Sequence, residues 1–168
     1  MQSGRIRFPL CTRRQFLKTG TGAALGAFTL PLLAQSAAIH LDVHKESTCG
    51  CCVVWIEHIE QQGFATTVHH PDDLNALKAE LGILAEWQSC HTAVTANGHL
   101  FEGHVPARYI SSFLAAPPEN ALGLAVPGMP IGSPGMEVGD RFSPYDVILM
   151  KQDGQSEVYA SIKSAADQ

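Results

Sequence analysis

Acidic residues are missing from the start of this 168-residue chain: no Asp or Glu precedes Asp42. Basic residues are scarce in the remainder. After residue 38, 6 Lys+Arg face 16 Asp+Glu, a formal charge of −10 (6 − 16). That scarcity argues against a nucleic-acid partner, whose binding needs a basic face, and it is compatible with cations. Histidine is also missing from the first 38 residues; all eight histidines and four of the five cysteines lie beyond them. Length sets a further bound. With 45% hydrophobic residues, the chain suits one globular domain with a real core and is too short for two ordinary ones.

The first 38 residues carry only positive charge, on Arg5, Arg7, Arg13, Arg14 and Lys18. Thr12-Arg13-Arg14-Gln15-Phe16-Leu17-Lys18 precedes an uncharged run from Thr19 to about Ala34, and Ser36-Ala37-Ala38 closes it with small residues. These are the three parts of an export signal, and the arginine pair before Phe-Leu-Lys looks like the twin-arginine type. The run is diluted by Gly20, Gly22 and Gly26, broken by Pro31, and shorter than the roughly 20 residues a spanning helix needs. An uncleaved anchor is the alternative. Cleavage after Ala38 is expected to leave residues 39–168 as a single periplasmic domain with no stable membrane insertion. Cys11 precedes the run and leaves with it.

Ile39 to His44 alternates apolar and polar residues, the pattern of a half-buried strand. Cys52, Trp55, Ile56 and Ile59 fall at i, i+3, i+4 and i+7, which predicts a helix over Cys52 to Gln62, ended by Gly63. Phe64 to His69 reads as a second strand. Pro71-Asp72-Asp73 opens a second helix with Leu74, Leu77 and Leu81 inward. Thr92 to Ala96 and Leu100 to Val105 flank the turn Asn97-Gly98 as a hairpin. Pro106 then starts a third helix, Ala107 to Ala115. The order β-α-β-α-β-β-α is that of an α/β, thioredoxin-like fold. A last hairpin, Tyr145 to Lys151 and Gln155 to Ala160, comes after a long Gly/Pro-rich loop, Pro117 to Pro144. Eleven of that loop's 28 residues are Gly or Pro. It repeats a turn, Pro127-Gly128-Met129 and Pro134-Gly135-Met136, so its methionines either fill core gaps or serve as thioether donors.

Thr48-Cys49-Gly50-Cys51-Cys52 lies where the first strand hands over to the first helix. Cys49 and Cys52 have the C-x-x-C spacing of thiol-disulfide oxidoreductases. Cys51 adds a third sulfur where such proteins seldom carry one. A helix N-terminus stabilises thiolates through its free N–H groups and dipole. Cys52 begins the core-facing stripe and is expected to be the most buried, Cys49 the most exposed. Cys90, followed by His91, is the fourth thiol, expected to face the same turn. Thiolates and thioethers select Cu(I), with zinc as competitor. Four thiols, an imidazole and two thioethers exceed the needs of one tetrahedral ion, so bridging sulfurs around several Cu(I) ions are plausible. Three alternatives stay open: a Cys49/Cys52 redox pair, two structural disulfides, and a zinc site of Cys49, Cys52, Cys90 and His91 that leaves Cys51 idle.

His104, in Glu102-Gly103-His104-Val105-Pro106, is the best remaining ligand candidate against a hydrogen-bonded structural role. His58 reads as a surface residue. His69-His70 reads as a polar loop entry, with metal capture as the alternative. His40, His44 and His99 carry no signal.

Together the residues resemble a bacterial family, domain of unknown function 411, which includes CopG-like periplasmic copper-resistance proteins. The resemblance rests on Cys49-Gly50-Cys51-Cys52 with Trp55, His69-His70-Pro71, Ser89-Cys90-His91-Thr92-Ala93, Glu102 to Pro106, Gly123 to Pro130 and Gly135-Met136-Glu137. It implies a thioredoxin-like fold, copper bound by Cys49, Cys51, Cys52 and Cys90, and a part in copper tolerance through redox handling of the ion. It does not decide whether His91, His104, Met129 or Met136 ligate Cu(I) or Cu(II), nor whether anything is turned over. Its partners would be copper ions and other periplasmic copper-handling proteins.

Overall fold

The computed structural model describes residues 38–168, and the segment read above as an export signal lies, but for Ala38, outside them. The described residues form a mixed α/β fold in the order β1 (His40–Lys45), α1 (Gly50–Gln61), β2 (Ala65–His69), α2 (Leu74–Glu80), β3 (His91–Thr95), β4 (Leu100–Glu102), α3 (Ala107–Ala115), β5 (Ala121–Ala125), β6 (Tyr145–Lys151) and β7 (Ser156–Ile162). All seven strands join one sheet in the order β2-β1-β3-β4-β5-β6-β7. β1 pairs with β2 and β4 with β5 in parallel; the other pairs are antiparallel. Among the described residues, no helix is long and apolar enough to cross a membrane.

Strand alternation sorts side chains onto two sheet faces. Leu41 and Val43 of β1, Phe101 of β4 and Leu124 of β5 meet Trp55 and Ile59 of α1 and Ile110 and Phe113 of α3 in the larger core. Leu100, Ala125 and Met150 meet Ile83 and Trp87 on the other face. The α1 stripe is as its periodicity predicts: Cys52, Trp55, Ile56 and Ile59 are its buried residues. Trp55 also satisfies its indole N–H, which donates to the Val105 carbonyl at 2.9 Å.

Two expectations need correction. The tract Pro117 to Pro144 is not unstructured throughout, because β5 runs through it and ties the C-terminal hairpin to the sheet. Gly123 looks like a strand breaker but is what lets β5 approach β4. A Cβ there would lie 1.8 Å from the Leu100 carbonyl oxygen. Helix α2 does not bury Leu77 and Leu81, which are half-exposed; it buries Leu74 and Lys78. Lys78, one turn beyond Leu74, is drawn inward by the buried Glu102 carboxylate.

Candidate metal centre

Glu46 to Cys49 carry the chain from β1 into α1, with the Cys49 N–H donating to the Glu46 carbonyl at 3.1 Å. Cys49 caps the helix in an extended conformation and makes no side-chain capping hydrogen bond. The free amides and positive dipole end of α1 therefore sit among the sulfurs. Cys49 and Cys52 are joined as a disulfide with Cα atoms 5.6 Å apart. Cys51 and Cys90 are free thiols. Cys52 is fully buried, while Cys49 and Cys51 are both half-buried, so Cys49 does not stand out as the exposed thiol.

The four sulfurs come together. Cys51 Sγ lies 3.5 Å from Cys49 Sγ, and all four Sγ atoms lie within 4.8 Å of one another. A second set shares Cys90: its sulfur is 3.3 Å from His91 Nδ1 and 3.0 Å from His104 Nε2. The Pro134 carbonyl accepts from His104 Nδ1–H at 2.7 Å, which fixes the tautomer and leaves the Nε2 lone pair facing Cys90. His91 is fully buried against the Trp55 ring, and its Nε2 has no partner. The two imidazoles meet edge to face at 5.1 Å.

Electrostatics keep these donors neutral. Burial, with the Cys51 side chain next in weight, pushes the Cys90 thiol up to about 12. Burial holds His91 well below the usual imidazole range, helped by His104, Lys78 and Lys45. Burial lowers His104 too, although the Pro134 carbonyl opposes the shift. Neutral imidazoles offer lone pairs, and a buried thiol gives up its proton most readily to a cation that binds sulfur. The donor set therefore fits a soft metal ion.

The twin turns of the Gly/Pro tract rest on both cysteine-bearing segments. Gly128 N–H donates to the Gln88 carbonyl at 3.1 Å, and the Ser89 hydroxyl donates back to the Gly128 carbonyl. Gly135, at φ +85°, sits directly on α1: a Cβ there would meet the Cys51 carbonyl oxygen and the Trp55 nitrogen, each at 2.8 Å. Met136 is half-buried, and Met129 is 53% exposed, which removes Met129 from the role of core filler.

Sequence reasoning missed the buried cluster that holds Cys90 in place. Lys78 Nζ donates to Glu102 Oε1 at 2.6 Å and to the Ser89 carbonyl. Glu102 also accepts from the Ser89 N–H at 2.6 Å and from the Thr92 hydroxyl. The pair is buried, with side-chain exposures of 1% and 0%, so its charges depend on each other. The one available signal is a lysine on the inward stripe of α2. His58 is likewise not a plain surface residue, for it accepts the first N–H of α3, from Ala107, at 3.3 Å. His69 and His70 turn toward β1, where His69 meets Asp42 and His70 meets the Lys45 carbonyl.

Comparison with known proteins covers part of this set. The family described as "Protein of unknown function, DUF411" matches residues 87–136, which include Cys90, His91, His104 and both Pro-Gly-Met turns. Two solved structures, forms 1 and 2 of a copper resistance protein copG, are each 44% identical, with a TM-score of 0.70. Each alignment covers 74% of this chain and 98% of the other. No curated protein sequence matches.

Proposed function

The chain belongs to the DUF411 family of the copper resistance protein copG, and from that premise we propose that it is an exported copper-binding protein of copper tolerance. The copper ion is its cargo, held as Cu(I) by thiolates of Cys49, Cys51, Cys52 and Cys90. One observation carries this reading: four sulfurs from two distant segments lie within 4.8 Å of one another. Such a set exceeds the needs of one ion and suits Cu(I), which thiolates select. Bridging sulfurs then hold more than one ion per chain. His104 Nε2, with its lone pair already aimed at Cys90, is the nearest nitrogen donor, and His91 is the next. Met129 and Met136 act as outer thioethers on the covering tract. The β2-β1-β3-β4 order, with β1 and β2 parallel, supports a thioredoxin-like core. The basic segment ahead of residue 38 supports export to the periplasm by the twin-arginine route.

The disulfide makes loading dependent on redox state. With Cys49 and Cys52 joined, two sulfurs are free. Two electrons and two protons from an external thiol reductant convert the bond to two thiols and complete the set of four. Anaerobic titration of the reduced protein against a competing Cu(I) chelator is expected to end above one ion per chain. An endpoint of one or none, or a preference for zinc, would overturn the multinuclear reading.

The Cys49–Cys52 disulfide at a helix N-terminus favours one second reading, a thiol-disulfide oxidoreductase with Cys49 attacking and Cys52 resolving. Cys51→Ser separates the two. It should lower copper capacity if sulfurs bridge ions. Normal copper binding in that variant, together with loss of disulfide reduction in Cys49→Ser, would favour the oxidoreductase.

A further inference from the structure

The thiol centre leaves a second group of donors unused, on the outer rows of β1 and β2. Along β1, Leu41, Val43 and Lys45 turn inward, so His40, Asp42 and His44 share the opposite face. Parallel pairing with the edge strand β2 sets His44 opposite His69. Their rings stack with centroids 4.8 Å apart and planes 21° apart. The Asp42 carboxylate accepts from His69 Nε2–H at 2.8 Å. With the proton on Nε2, the lone pair of His69 lies on Nδ1. A carboxylate behind one ring nitrogen is the partner that orients a histidine ligating through the other and raises its basicity.

We propose that His44 and His69, with Asp42 holding the His69 tautomer, form a second metal site that takes a borderline divalent cation, Cu(II) foremost. The chemistry differs from that of the thiol centre. No sulfur takes part, and imidazole pairs prefer Cu(II), Ni(II) and Zn(II) to Cu(I), with Cu(II) the strongest of the three. The site is open: the side chains of His69 and Asp42 are 42% and 46% exposed, so water completes the coordination. His40, 4.0 Å from the same Asp42 oxygen and with its Nε2 3.0 Å from the Thr67 hydroxyl, serves as the control. His70 Nδ1–H donates to the Lys45 carbonyl at 2.9 Å, so that nitrogen is not a ligand of the pair.

This site does not depend on the thiol reading, and its test removes the free thiols. The full chain carrying Cys11→Ser, Cys51→Ser and Cys90→Ser, with the Cys49–Cys52 disulfide intact, is titrated with Cu(II) chloride and followed by electron paramagnetic resonance. The expected result is a Cu(II) signal with nitrogen hyperfine splitting. Its affinity should fall at least tenfold in His44→Ala and in His69→Ala and stay unchanged in His40→Ala, with equal thermal melting in all. Binding by both variants equal to the parent's, or a signal without nitrogen coupling, would overturn the proposal.

Discussion

The thiol centre and the histidine face are assembled in opposite ways. The centre draws its atoms from separate segments: the Cys49–Cys52 turn, Cys90 ahead of β3, His104 beyond β4 and the tract around Pro134. The face takes His44 and His69 from two adjacent strands in register. A strand ladder places its side chains by backbone pairing alone. A centre made of loop ends needs a frame, and the frame is visible in the Lys78–Glu102 pair, the Gly135 contact and the Pro134 carbonyl. Substitutions in that frame should therefore injure the centre and spare the face.

The largest effect is expected from Lys78→Met, which leaves Glu102 buried without its cation. Breaking a buried pair in this way costs about 3–5 kcal/mol, measurable by urea unfolding. Cu(I) affinity should fall with it, while Cu(II) binding by His44 and His69 stays. The loss should also depend on pH. Burial already raises the Glu102 pKa above 4.5, and removing Lys78 removes the main opposing influence. Folded Glu102 then binds a proton where the unfolded chain does not, so the deficit shrinks as pH falls toward 4.5. For comparison, His44→Ala on the open face should stay within about 0.5 kcal/mol of the parent. Equal stability losses at the two positions would break the contrast.

A smaller effect is expected at Gly135. Alanine there adds a Cβ 2.8 Å from two backbone atoms of α1, at a φ of +85°. The strain is on the order of 1–3 kcal/mol, and it should lift the tract from the cysteine turn. Faster alkylation of Cys51 would report this, and an unchanged rate would show that the contact does not shield the thiol.

The smallest effect concerns the methionines. Met129→Leu with Met136→Leu nearly preserves volume, so stability should change by less than about 1.5 kcal/mol. Cu(I) retention should weaken most visibly below neutral pH, where thiolates are lost and thioethers are not. Unchanged retention across pH would remove both methionines from the donor set.

Local signals make the helices legible. The stripe of Cys52, Trp55 and Ile59 locates α1 and its burial, and Pro106 locates α3. Cys90 can be matched to the Cys49 turn because both lie at strand ends of a familiar element order. What stays hidden depends on distant partners. β5 is obscured because Gly123 answers to Leu100, which no local pattern reveals. The burial of Lys78 is hidden because nothing near it in sequence marks Glu102 as its partner. His44 and His69 carry no joint signal because only strand register places them side by side.

The hydrogen bond from His104 to Pro134 links two properties usually treated separately, the position of a loop and the protonation of a ring. While the tract is seated, the proton stays on Nδ1 and the lone pair faces Cys90. Lifting the tract removes the acceptor that holds that proton. The ring is then free to exchange tautomers, and the nitrogen beside the thiol stops being a constant donor. If His104 ligates the ion, movement of the tract and loosening of that nitrogen contact are one event.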